Sequence, residues 1–150
     1  MSSDILFTAL NYLSRREYAR RSLEAKLISK GFDEASVNEV LNRLQQGGQL
    51  SDERYVESYT QSRVRRGYGL THIRRELTQA GVSEDVIQEG ITSQGVNWED
   101  VLEKVWERKF GVLNECSKVY AKQFRFLMQR GFSAESIHSL LKKKKEKSLS

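Results

Sequence analysis

The chain repeats itself every 50 residues, and this constrains its fold more than any other feature. Leu27, Leu77 and Leu127 stand 50 residues apart, as do Gly31, Gly81 and Gly131. The same spacing joins Phe32, Val82 and Phe132, then Val37, Ile87 and Ile137, then Leu41, Ile91 and Leu141. A unit this small cannot bury an apolar face alone, so repeats of it must stack on their neighbours. The shared Gly fits a helix end, where a left-handed residue costs least without a Cβ. Asp33, Ser83 and Ser133 follow two residues later as N-caps of the next helix. Behind them Val37, Val40, Leu41 and Leu44, then Val86, Ile87 and Ile91, then Ile137, Leu140 and Leu141 recur at helical spacing.

Each repeat begins with a further helix. Its apolar stripe is Ile5, Leu6, Ala9, Leu10 and Leu13, then Tyr55, Val56 and Tyr59, then Val101, Leu102, Val105 and Trp106. Asp52 suits the cap of the second such helix, and Asn97 or Asp100 that of the third. No stretch alternates with period two between hairpin turns, so strands are not expected. The spacing predicts an all-α chain of nine helices in three tandem three-helix repeats, 1–50, 51–98 and 99–150. Such an array is elongated, and free to curve, because each repeat touches mainly its neighbours. The absence of Pro agrees with uninterrupted helices.

Most enzyme chemistry has nothing to stand on. No phosphate-cradling Gly-rich loop, nucleophile elbow or metal signature occurs. His72 and His138 are far apart, and no Cys or His pair has ligand spacing. The single Cys116 reads as a packed or incidental thiol and fits a reducing compartment. No apolar run approaches the ~20 residues a membrane helix needs, and the first residues lack a secretory pattern. A non-enzymatic, cofactor-free, cytoplasmic monomer is the expectation.

The net charge of +5 is unevenly spread. Residues 1–50 carry seven basic and six acidic groups, 51–100 six and nine, and 101–150 twelve and five. Local patches, not overall charge, must therefore recognise any polyanion. The richest is Ser62–Leu77, with Arg63, Arg65, Arg66, Arg74 and Arg75 against Glu76. Gly67 and Gly69 mark a helix-to-helix turn, and Tyr68 between them suits a plug for the joint. Arg63, Arg65 and Arg66 at a helix end complement its dipole, a structural explanation that does not extend to Arg74 and Arg75 after a helix start. Clustered on both sides of one turn, the five present forked donors to phosphates or carboxylates. Arg15, Arg16, Arg20 and Arg21 form a second set, for which Glu17–Arg21 pairing offers a plain structural account. The run Lys142, Lys143, Lys144 and Lys145 is expected to fray and to add weak, non-specific affinity for DNA or another polyanion.

The Gly turn followed by a capped helix also suggests a helix-turn-helix regulator of duplex DNA. Glu34, Glu39, Glu84, Asp85 and Glu89, with Asn38 and Gln88 on the same faces, place acid where phosphates would approach, which argues against it. An adaptor for some other acidic protein is a further alternative.

Three stretches resemble the RecX regulatory proteins of bacteria: Tyr12–Leu27 with Gly31 and Phe32; Gly48–Val56, Arg63–Gly69 and Ile73–Leu77; and Lys109–Gly111 with Arg125–Leu127 and Arg130–Phe132. Leu70 departs from the family's usual Pro, and Ser22 from a common acidic residue. The resemblance implies a modulator of the RecA recombinase that acts in recombination, DNA repair and the SOS response. It implies binding to the RecA–single-stranded-DNA filament and restraint of its growth, ATP hydrolysis and strand exchange. Contact is then expected through Arg63, Arg65, Arg66, Arg74 and Arg75, helped by Arg15, Arg16, Arg20, Arg21 and Lys142–Lys145. Gly67, Tyr68 and Gly69 are expected to set the joint geometry.

Overall fold

A computed structural model describes residues 2–111 and 117–149; Cys116 lies outside them. Among the described residues there are nine helices and no strand. They are α1 (Ser2–Leu13), α2 (Arg20–Ser29), α3 (Glu34–Gln46), α4 (Asp52–Arg65), α5 (Leu70–Gln79), α6 (Glu84–Ser93), α7 (Trp98–Lys109), α8 (Ser117–Gln129) and α9 (Ala134–Leu149).

The repeated columns have one structural meaning each. Gly31, Gly81 and Gly131 take φ of 98°, 87° and 97°. In all three turns the N–H after the Gly reaches back five residues: Phe32 to the Leu27 carbonyl at 3.4 Å, Val82 to Leu77 at 3.2 Å, Phe132 to Leu127 at 3.3 Å. This is the Schellman closure, which satisfies a carbonyl the helix end would leave open. Leu27, Leu77 and Leu127 are fully buried, as are Val37, Ile87 and Ile137. Burial of each such side chain stabilises by about 1.5–3 kcal/mol.

The caps follow the sequence in part. Asp33 accepts the Ser36 N–H at 3.1 Å and the Ser133 hydroxyl accepts that of Ser136 at 3.1 Å. Asn97 accepts the Asp100 N–H at 3.1 Å, while Ser83 makes no side-chain cap bond. Asp52 does not cap α4, contrary to its local pattern. Ser51 does, accepting the Arg54 N–H at 3.2 Å, and Asp52 instead accepts the Arg20 N–H at 2.8 Å, at the start of α2.

The chain forms two compact units, Met1–Tyr59 with Glu76–Gln94, and Thr60–Arg75 with Gly95–Ser150. In the first, α1, α2 and α3 enclose Ile5, Ala9, Leu23, Leu27, Val37, Leu41 and Leu44, with Tyr18 and Leu50. In the second, α7, α8 and α9 enclose Leu102, Trp106, Leu127, Phe132, Ile137 and Leu141. There the buried Trp106 indole donates to Gln123 Oε1 at 2.9 Å, which satisfies two polar groups inside the core.

The end of α9 corrects the expectation of a frayed lysine run. Helix continues through Lys142–Lys145 to Leu149. Lys144 is held at 3.0 Å from Glu103 and 3.4 Å from Glu107, both on α7, and lies 5.1 Å from the Trp106 ring. Its hydrogen bond to Glu103 raises the ammonium pKa above 10.5 against the opposing effect of burial, and Glu107 adds to the rise. A raised lysine pKa contributes stability that is complete below the unfolded value and lost as pH climbs through the folded one. Lys144→Met should therefore lower the urea midpoint at neutral pH, and the gap to wild type should close as pH rises above 10.5. A gap independent of pH would mean the lysine acts by packing alone.

Candidate functional site

The arginine-rich turn between α4 and α5 is built by a backbone clasp within the second unit. Gly67 ends α4 with φ of 86°, and the Tyr68 N–H closes on the Arg63 carbonyl at 3.0 Å. The turn then docks on the α8–α9 turn. Gly69 N–H donates to the Arg130 carbonyl at 2.7 Å, and Thr71 N–H to the Gly131 carbonyl at 3.0 Å. In return Arg130 Nη1 donates to the Arg66 carbonyl at 3.1 Å. A Cβ on Gly69 would stand 2.6 Å from the Gly131 oxygen, so only a residue without one allows this approach.

The first unit contains the counterpart one repeat earlier. Ser22 Oγ donates to the Ala80 carbonyl at 3.3 Å, and the Arg21 stem lies where a Cβ on Gly81 would stand. Arg21 thus stands against Gly81 and His72 against Gly131, while Ser22, 50 residues before His72, bonds the carbonyl just before Gly81. At Gly31 the corresponding space is open.

Tyr68 lies between the two glycines of this turn. Its half-buried ring stacks on His72, centroids 4.3 Å apart and planes 19° apart, with the Arg130 guanidinium 4.7 Å and that of Arg63 5.7 Å from its centre. Arg75 donates to His72 Nδ1 at 3.2 Å. Arg65 and Arg66 are exposed; Arg63 and Arg74 are half-buried.

A cavity of about 280 Å³ adjoins the turn and brings Lys104 and Arg108 of α7 beside Arg65, with Asp100 also in its wall. Asp100 pairs with Lys104 at 3.0 Å. Lys104, Arg108 and Arg130 escaped the sequence reading. The signal available for Arg130 was its place directly before the repeated Gly; for the other two there was none beyond a polar α7 face.

The N-terminal arginines lie in the first unit and have divided roles. Arg15 and Arg16 are exposed after α1, Arg16 stacking 3.9 Å over Tyr18. Burial would raise the Tyr18 phenol, but hydrogen bonds from Arg16 and Lys26 outweigh it and hold its pKa below 10.0. Arg20 is occupied structurally: its guanidinium bonds Asn42 Oδ1 at 2.7 Å and also Gln45 Oε1 and Asn38. Glu17 pairs with Arg54 at 3.1 Å, on α4, and not with Arg21 as local spacing suggested. Of the lysine run, Lys142, Lys143 and Lys145 are exposed.

Among the described residues no three His, Cys, Asp or Glu side chains group as metal ligands, and no helix is long and apolar enough to cross a membrane. The exposed Glu34, Glu39, Glu84, Asp85 and Glu89 on α3 and α6 repel a phosphate backbone.

Known proteins share this arrangement throughout. Residues 8–44, 51–91 and 98–141 match the RecX first, second and third three-helix domains. The chain belongs to the RecX family. The regulatory protein RecX of Pseudomonas fluorescens is 42% identical over 135 residues, which cover 89% of this chain and 87% of that protein. That of Pseudomonas syringae pv. tomato is 40% identical over the same coverage. The crystal structure of RecX from Lactobacillus salivarius superposes with a TM-score of 0.75 at 22% identity, covering 96% of both chains. A second RecX crystal structure gives 0.79 at 23% identity, covering 95% of this chain and 73% of that one. The two positions expected to depart from the family's pattern are accommodated locally. Leu70 still opens α5, and Ser22 makes the bond to Ala80 that docks α2.

Proposed function

We propose that this RecX protein regulates RecA negatively, by binding the RecA–single-stranded-DNA filament and restraining its growth, ATP hydrolysis and strand exchange. Membership in a family of regulatory proteins, matched in all three domains, carries this reading. Three repeats over 1–50, 51–98 and 99–150 would then touch several protomers at once, gaining avidity from modest contacts. The exposed Arg65 and Arg66 lead the contact, with Lys104 and Arg108 beside Arg65 and with Arg63, Arg74 and Arg75 around the same turn. Arg15, Arg16, Arg21, Lys142, Lys143 and Lys145 supply further cationic contact, while Arg20 and Lys144 hold the fold. Positive charge so presented speeds encounter with an acidic filament at low salt.

Single-stranded-DNA-dependent ATP hydrolysis by RecA, titrated with this protein, tests the reading. Inhibition far below one molecule per protomer is expected if growth is blocked, and inhibition near equal stoichiometry if the groove is filled. Folded protein that fails to inhibit at any ratio would refute the proposal.

A further inference from the structure

Away from the arginine turn, α8 and α9 of the second unit hold an open cleft of about 430 Å³ lined by Tyr120, Ala121, Phe124, Arg125, Met128 and His138. Its floor is aromatic, with ring planes 22° to 32° apart. His138 lies 4.6 Å from the Phe124 centroid at 32° and 6.3 Å from that of Tyr120 at 22°. The Tyr120 hydroxyl and His138 Nδ1, 2.9 Å apart, fix the two rings against each other. Phe124 is half-buried, while His138 is exposed and Met128 is 43% exposed. None of these residues is needed by the clasp or by the arginine patch.

The rim decides which occupant fits. Arg125 lies in the cleft and Lys122 is exposed on the same helix. On α9, Lys142 and Lys145 follow His138 by four and seven residues, which puts them on its side of the helix. Glu135, three residues before His138, is the acid on that stripe within one turn of it. An exposed imidazole beside half-buried aromatic rings, bordered by cations, meets the two needs of an unpaired nucleotide: a face for the base and countercharge for its phosphates. A duplex offers no free base face to such a platform.

We propose that the α8–α9 cleft is a stacking site for an unpaired nucleobase of single-stranded DNA, with Phe124 and His138 as the platform and Arg125 as the phosphate or cation–π contact. The choice of DNA as the strand rests on the filament reading above; the recognition chemistry does not. On the filament, the site would let the protein grip exposed strand as well as protomers.

The test uses the full chain without RecA, so its result is independent of the regulator reading. Fluorescence anisotropy would compare a labelled oligothymidylate, an abasic strand of equal length and charge, and a duplex. The thymidylate should bind about tenfold more tightly than the abasic strand, because stacking on an aromatic adds affinity that charge alone does not. His138→Ala, at an exposed position, and Phe124→Leu, which keeps an apolar side chain against the core, should each reduce that ratio towards one without changing abasic affinity. Equal binding of thymidylate and abasic strands, or of strand and duplex, would overturn the site. So would variants that keep the ratio.

Discussion

Gly131→Ala is expected to destabilise the second unit by about 3–5 kcal/mol, whereas Gly31→Ala, in the same repeat column, costs only about 1–2 kcal/mol. Both glycines have nearly the same left-handed φ, 97° and 98°, so the backbone penalty is common to both. The surroundings differ. A methyl on Gly131 would meet His72 at its Cβ and stand 2.5 Å from its backbone nitrogen, whereas at Gly31 nothing lies within 4 Å. Backbone at a helix start cannot swing away as a flexible side chain can, so the overlap must open the clasp from Gly69 and Thr71. Gly69→Ala separates the two effects, because its φ is not positive while its Cβ would strike the Gly131 carbonyl. It should cost about 1–3 kcal/mol through overlap alone. Urea melts followed by circular dichroism measure all three. Tryptophan fluorescence adds a readout for the second unit, which holds both Trp98 and Trp106. Equal losses at Gly31 and Gly131 would show that the clasp contributes nothing.

Reversing Arg65 and Arg66 together to Glu is expected to raise the concentration for half-inhibition of RecA ATP hydrolysis by about tenfold or more at low salt. Helix content should not change, since both side chains are exposed and the clasp uses the Arg66 carbonyl rather than its guanidinium. The four-unit change of charge is matched by a control, Lys30→Glu with Arg43→Glu, at two exposed positions of the first unit. Compared at physiological salt, that control should leave inhibition within about twofold, because screening confines charge effects to roughly 8 Å around each side chain and neither Lys30 nor Arg43 is among the proposed contacts. The defect at Arg65 and Arg66 should narrow as salt rises and weakens wild-type binding too. An equal loss in both double variants would reduce the effect to overall charge, and no loss in either would remove the arginine turn from the contact.

The three Schellman turns, the helical stripes and most caps were legible in the sequence because each depends on residues within about five positions. A left-handed Gly, a cap three residues from its donor and a stripe of period 3.6 are local patterns, and three copies state each of them three times. Other assignments were not local. Asp52 has the position of a cap but turns to the Arg20 N–H, 32 residues away, once Ser51 takes the helix end. Glu17 has Arg21 four residues on, but it precedes α2 and reaches Arg54, 37 residues on. The lysine run reads as a self-repelling tail until Glu103 and Glu107 are seen facing Lys144.

The all-α class and the threefold repetition were thus settled by the sequence alone, since each follows from short-range patterns that survive whatever the helices pack against, and the family was legible there as a resemblance of motifs. Tertiary structure decided which cations are free. Arg20, Arg130 and Lys144 look like Arg65, Arg66 and Lys143 in composition and local context, yet the first three are held by distant carbonyls, amides and carboxylates. The reason is physical. A guanidinium or ammonium at the end of a long stem bonds whichever acceptor the fold brings within about 3 Å, and that proximity is set by helix packing rather than by neighbours along the chain.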